Sequence, residues 1–294
     1  MSGRARKTKK IVDIDSFNIN SENGNSCEIN YNEYVPPEDV ILEVRTVSGM
    51  TFKNLLDTLK AVLSEANIIF TQQGLKLVVV DSKTRAVVHL LMEREYFEFY
   101  HCMEEKIIIG IDIDLLYRTI KTNKTNDLLC LSVNKNNRHI LEISFENLQK
   151  GTKTSDQLSL KSLRETIITD KIKYPLPTEM DSMSFQNICK EMSSFGATLL
   201  KIEYKDNMLV FSNKDGEPKR KVSVRIKDNN SKKFPPQRGT FSLSFLKPFT
   251  KAASLSQKVK IYLKTNEPLT CEYSIDNLGT LKYLLSPEED DEDE

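Results

Sequence analysis

The sequence predicts an α+β chain made of two similar domains, each holding two helices among many antiparallel strands. The first observation behind this is a repeat. Met50-Thr-Phe-Lys-Asn-Leu-Leu-Asp-Thr-Leu59 returns 133 residues later as Met183-Ser-Phe-Gln-Asn-Ile-Cys-Lys-Glu-Met192, with Met, Phe and Asn identical and every apolar position kept apolar or replaced by Cys. The second is that Ile113 to Lys121 matches Leu243 to Lys251, and Phe145-Glu-Asn147 matches Ile275-Asp-Asn277, both at an offset of 130. The third is a change of period: apolar residues recur every three or four positions in these stretches and alternate between them, the spacings of helix and strand.

Taken in order, residues 1–40 are rich in Lys, Asn, Ser and Glu and end at Pro36-Pro37. They hold too little apolar surface to offset their ordering entropy, so a flexible basic arm is expected. Ile41–Val47 alternates as a strand. In the following helix Phe52, Leu55, Leu56, Leu59, Val62 and Leu63 share one face, with Lys53, Asp57 and Lys60 opposite. Strands are expected at 67–71, 75–80, 86–92, 97–102 and 106–111, the first two turning at Gln73-Gly74. Ile113, Leu116, Tyr117 and Ile120 mark the second helix and project Arg118 and Lys121 elsewhere. A hairpin, 128–133 with 139–146, completes domain 1 (41–157) across Asn134-Lys-Asn-Asn137, a favourable turn composition.

Residues 158–173 are expected to be an extended interdomain connector, since Ser, Thr and Asp interrupt Leu160, Leu163 and Ile167 and Pro175 and Pro177 follow. Domain 2 (174–287) holds the repeat helices with strands at 199–204, 208–212, 221–226, 259–264, 269–275 and 281–285. The stretch 229–239, with Pro235-Pro236, is expected to be a loop. An acidic tail, 288–294, ends the sequence.

Composition narrows the function. Apolar residues make up 39% and charged residues 29%, a globular balance, and no apolar run approaches the roughly 18 residues that span a bilayer. The basic N-terminus lacks the apolar core of a secretory leader. Five scattered cysteines, an odd number without metal-ligand spacing, are expected to be reduced thiols. The formal charge is zero, from 42 basic and 42 acidic residues. Setting aside the five basic residues of the first ten and the seven acidic residues of the tail leaves 37 against 35, so what matters is which face each sign occupies.

Catalysis is not expected. His89, His101 and His139 lie in strands without a metal or triad pattern, and neither a phosphate-binding Gly-rich loop nor a nucleophile elbow is present. Asp112 and Asp114 read as a helix N-terminus. No cofactor or metal is expected.

Three stretches carry a family likeness: Ile41 to Cys102; Phe245-Leu-Lys-Pro-Phe-Thr-Lys-Ala-Ala-Ser-Leu-Ser256; and Asn277-Leu-Gly-Thr-Leu-Lys-Tyr-Leu-Leu-Ser-Pro287 before an acidic tail. Together they resemble proliferating cell nuclear antigen, the DNA sliding clamp of eukaryotes and archaea. The arm lies outside the family pattern and is the kind of extension expected of a viral or protist member. The resemblance implies the DNA clamp fold: a homotrimeric ring, helices lining the hole and antiparallel sheets outside. It implies a processivity factor that holds DNA polymerase and replication or repair proteins on duplex DNA, needs a clamp loader, and works in the nucleus or, if viral, at a cytoplasmic replication site. The other readings are a monomeric or hetero-oligomeric processivity or checkpoint subunit of the same fold and, less well supported, a DNA-processing enzyme.

Residue by residue, Lys60, Arg118, Lys121, Lys190 and Lys251 match basic positions of the family's inner helices, and helical spacing adds Lys53 and Lys247. Asn187, Ser194 and Ser244 stand where well-known relatives are basic. A groove for partner peptides is expected at Val80, Val87, Pro268, Leu284, Leu285 and Pro287, with Ile167 or Ile168 from the connector. The subunit interface is expected to join Leu141, Ile143 and Phe145 of one copy to Leu209 and Phe211 of the next, through end strands at 139–146 and 208–212.

Overall fold

A computed structural model describes residues 34–81, 84–122, 127–147, 150–165, 177–226 and 235–289. Most of the arm, Ile167, Ile168 and the last five residues of the tail lie outside the described residues.

The first half runs β1 (Val40–Thr46), α1 (Gly49–Leu59), β2 (Glu65–Thr71), β3 (Gly74–Val80), β4 (Ala86–Glu93), β5 (Phe99–Cys102), β6 (Ile107–Asp112), α2 (Ile113–Ile120), β7 (Leu128–Asn134), β8 (Ile140–Asn147) and β9 (Thr152–Ser159). The second runs β10 (Thr178–Asp181), α3 (Ser182–Ser194), β11 (Leu199–Lys205), β12 (Met208–Asn213), β13 (Lys221–Arg225), β14 (Gln237–Ser242), α4 (Leu243–Phe249), β15 (Lys258–Tyr262), β16 (Leu269–Ile275) and β17 (Gly279–Leu285).

Apolar spacing explains the helices. Phe52, Leu55, Leu56 and Leu59 are buried on α1, and Phe185, Ile188, Cys189 and Met192 take the same places on α3. Asp112 and Asp181 cap α2 and α3, accepting from Leu115 N at 3.0 Å and Ser184 N at 2.7 Å. α1 ends earlier than its apolar pattern, so Val62 and Leu63 pack on the core from the turn beyond it. In α4, Pro248 has no N–H for the Ser244 carbonyl, and the chain tightens into a 3-10 turn over Thr250–Ser254 that carries Lys251.

Three antiparallel sheets hold these helices: β5-β1-β7-β8-β9, β10-β15-β16-β17-β4-β3-β2-β6, and β13-β12-β11-β14. The eight-stranded sheet crosses the domain boundary, because β17 pairs with β4 from Gly279 opposite Met92 to Leu285 opposite Ala86. A chain reversal at Gly279 (φ +158) brings it close against the Leu91 carbonyl, leaving no room for a Cβ.

The structure corrects the expected sheet ends. β8 lies between β7 and β9, and β12 between β11 and β13, so both edges of each are occupied. Leu141, Ile143, Phe145, Leu209 and Phe211 are all core residues. They face inward because they alternate with positions on the other face, Glu142 and Ser144 on β8 and Val210 and Ser212 on β12. The ends of these two sheets are instead β9 and β13, whose side chains are mostly exposed. Leu158, expected to begin the connector, is the buried penultimate residue of β9. The loop expected to reach Gly239 gives way to β14 at Gln237, where pairing with β11 overrides the turn-like composition.

Candidate nucleic-acid interface and docking face

The helices form one layer. α1 packs on α2, α3 packs on α4 and the 3-10 turn, and α1 also meets that turn. Gln186 Nε2 donates to the Thr250 carbonyl at 2.9 Å, and Thr51 Oγ1 to Asp276 at 2.7 Å, tying the seams within and between the halves. All seven expected basic residues lie on this layer: Lys53 and Lys60 on α1 and its C-cap, Arg118 and Lys121 on α2 and its C-cap, Lys190 on α3, Lys247 on α4 and Lys251 on the 3-10 turn. With the caps counted alike, the same segments carry five acidic residues, Asp57, Asp112, Asp114, Asp181 and Glu191, against these seven cations. The layer is therefore basic although the chain is neutral.

These cations differ in freedom. Lys60 pairs with Asp57 at 2.9 Å and lies 3.5 Å from the centre of the Tyr117 ring. The hydrogen bond between them lowers the Asp57 pKa and raises that of Lys60. Arg118 pairs with Asp114 one turn back at 3.0 Å, Lys190 donates to Gln186 at 2.7 Å, and Lys247 reaches Ser193 at 2.9 Å. Lys121 and Lys251 are exposed.

On the opposite face of the eight-stranded sheet, the register places Val80, Val87, Leu284 and Thr270 side by side across β3, β4, β17 and β16. Val80 and Val87 are half-buried, and Leu284, 3% exposed, lies outside the main core cluster. Pro268 and Pro287 flank the row, exposed and half-buried. Leu285 corrects the expectation: at 1% exposure it is a core residue, since successive strand residues point to opposite faces.

Sequence reasoning missed the row beside it, Val78–His89–Lys282–Glu272–Lys260. Lys282 and Lys260 approach Glu272 at 2.9 and 3.3 Å, and Tyr262 donates to it at 3.0 Å. Burial pushes the Glu272 carboxyl up, and these partners more than reverse it, so its pKa lies below the usual value. Burial, Lys282 and Lys76 push that of His89 down. The period-two alternation of Lys282 with the core residues Leu281 and Tyr283 was the signal available.

The connector leaves this sheet well tethered. Lys161 pairs with Glu65 and Asp112 at 3.1 and 3.0 Å, Asn67 donates to the Leu163 and Arg164 carbonyls, and Lys106 pairs with Glu165. Cys102, Cys130, Cys189 and Cys271 are free and buried.

The chain matches two family models: the N-terminal domain of proliferating cell nuclear antigen over residues 41–166 and the C-terminal domain over 168–288. A curated relative, "Probable DNA polymerase sliding clamp 1" of Paramecium bursaria Chlorella virus 1, is 26% identical over 260 residues, covering 85% of this chain and 98% of the relative. The crystal structure of proliferating cellular nuclear antigen from Entamoeba histolytica shares the fold, with a TM-score of 0.76 at 20% identity over 85% of this chain and 100% of that one. With two domain models accounting for both halves of the fold, this chain belongs to the proliferating cell nuclear antigen family, the sliding clamps of DNA polymerases.

Proposed function

We propose that three copies close into a ring around duplex DNA and hold a polymerase and other replication or repair proteins on it. One observation carries this reading. By the internal repeat, β9 occupies in the first half the place of β17 in the second, and β13 that of β4. β17 pairs with β4 within the chain, whereas among the described residues β9 and β13 each keep a free backbone edge. Pairing β9 of one copy with β13 of the next repeats the internal joint and removes both edges.

The helix layer then faces the hole. A duplex carries about one negative charge per 1.7 Å of axis, and lysines on helices meet phosphates without reading bases. Lys121 and Lys251 are the most exposed of these contacts, Lys60, Arg118, Lys190 and Lys247 add to them from paired positions, and Lys53 lies half-buried on α1. The clamp performs no chemistry. Its processivity follows from topology, and a closed ring requires a loader to open it. The outer row Val80, Val87 and Leu284, bounded by Pro268 and Pro287, accepts the apolar anchors of partner peptides beneath the connector.

Sedimentation across a dilution series tests the ring. A mass of three times 33.7 kDa is expected. A stable monomer overturns the tethering mechanism.

A further inference from the structure

The outer row assigned to peptide docking is bordered by charge on both sides, and the two borders differ. Strand residues two apart share a face and lie about 7 Å from each other, so His89 and Lys282 sit on one side of Val87 and Leu284. There Lys282 pairs with Glu272 at 2.9 Å, and burial, Lys282 and Lys76 hold the His89 pKa below its ordinary value. Charge on that border is balanced within the sheet.

The other border is Arg85. It precedes β4 by one residue and continues the ladder, because Ser286 N donates to its carbonyl at 2.9 Å. Asp81 Oδ1 accepts from Arg85 N at 2.5 Å and Ala86 N at 2.7 Å, which fixes the backbone that carries the guanidinium. Arg85 stands two residues before Val87, which places it beside the row on the same face. Its guanidinium pairs with Glu288 at 2.5 Å, and the two side chains are 35% and 24% exposed. Glu288 is the first residue of the acidic tail, and its backbone N–H donates to the Thr240 carbonyl on β14 at 2.8 Å. The carboxylate can therefore leave Arg85 by side-chain rotation while its backbone stays tied. Exposed ion pairs are weak, so a carboxylate brought by a partner can replace this one. A planar guanidinium favours such a partner over a neutral amide.

We propose that Arg85 selects partner peptides that carry a carboxylate beside their apolar anchors, and that Glu288 holds this place in the free clamp as a built-in competitor. This selection rests on the docking role assigned to Val80, Val87 and Leu284 and adds a charge requirement to it. The anchors supply affinity, and the Arg85 contact supplies discrimination. A peptide offering Gln there forgoes the ion pair, and one offering Lys meets repulsion.

Calorimetry on the full chain with three synthetic peptides tests this. The peptides share one set of aliphatic and aromatic anchors and carry Glu, Gln or Lys at the flanking positions. The Glu peptide is expected to bind the native chain about threefold tighter than the Gln peptide, Glu288→Gln about tenfold tighter, and Arg85→Gln no tighter. Arg85→Glu is expected to prefer the Lys peptide. A Glu-to-Gln ratio that is the same in the native chain and in Arg85→Gln overturns the selection by Arg85 and leaves the docking row standing. A ratio unmoved by Glu288→Gln overturns the competitor role. Failure of all three peptides to bind any of these proteins overturns the docking row itself, and the selection with it.

Discussion

The Lys60 ammonium is held over the Tyr117 ring at 3.5 Å, so one cation joins α1 to α2 on the face assigned to DNA. It is partly used already by Asp57 and Tyr117, whereas Lys121, one turn beyond Tyr117, is exposed. The two lysines should therefore answer differently to mutation.

Replacing Lys121 with Gln should leave unfolding unchanged and lower the slope of log affinity for duplex DNA against log salt by about one. Lys60→Gln should also cost about 0.5–1 kcal/mol of stability, because the ring contact is lost. Reversing both charges should impair loading and processive synthesis while the ring stays assembled. Salt-dependent binding and denaturant melts read these effects, and an unchanged salt dependence in the double variant would remove these residues from the interface.

Neighbours on β17 separate docking from stability. Leu285→Ala should destabilise the chain by about 2–5 kcal/mol, as expected for a buried leucine. Val87→Asp, on the half-buried outer row, should keep the fold and weaken a clamp-binding peptide at least tenfold in calorimetry. Leu284→Asp should abolish that binding with the trimer intact. Peptide affinity unaffected by either Asp substitution would place the groove elsewhere.

The assembly seam should respond to charge. Asp156 is exposed on β9, and Lys221 and Arg225 are exposed on β13. Asp156→Lys opposes like charges across the proposed joint and should shift the sedimenting species toward monomer at micromolar concentration, with single-chain stability unchanged within about 0.5 kcal/mol.

The cap of α2 gives a pH signature. The backbone N–H of Leu115, then Lys161, holds the Asp112 carboxyl below its ordinary value of 3.8. A depressed folded pKa contributes stability that is complete above the unfolded value and lost as pH falls through the folded one. Asp112→Ala should cost about 1 kcal/mol near neutrality. Asp112→Asn, which keeps an acceptor, should cost less, and its deficit should begin to shrink as pH falls below 3.8 and vanish once pH has fallen through the lower folded value. Urea unfolding at several pH values checks this, and a deficit that persists in acid would contradict the assignment.

The paired helices were legible because packing imposes a period that survives substitution: Phe52 and Phe185 are both buried at matching places. β9 and β13 were not. Thr152–Ser159 and Lys221–Arg225 are largely polar and exposed, as edge strands must be in a lone subunit. Their strand state comes from partners distant in sequence, so the sheet ends were assigned one strand too far inward. Leu284 and Leu285 look alike as letters, and only the β4–β17 register shows which faces out. The seven basic positions were readable from helical spacing and family likeness, while the unequal freedom of Lys60 and Lys121 required tertiary contacts.

The β4–β17 joint has a mechanical consequence. Seven residue pairs and a continuous chain secure it, so the two halves of one subunit form a single rigid arc. The proposed ring of three such arcs has six boundaries between halves, of which only three lack a covalent link. Opening force should therefore concentrate at one of those three seams and swing the arcs apart as stiff levers, with little flexing inside any of them.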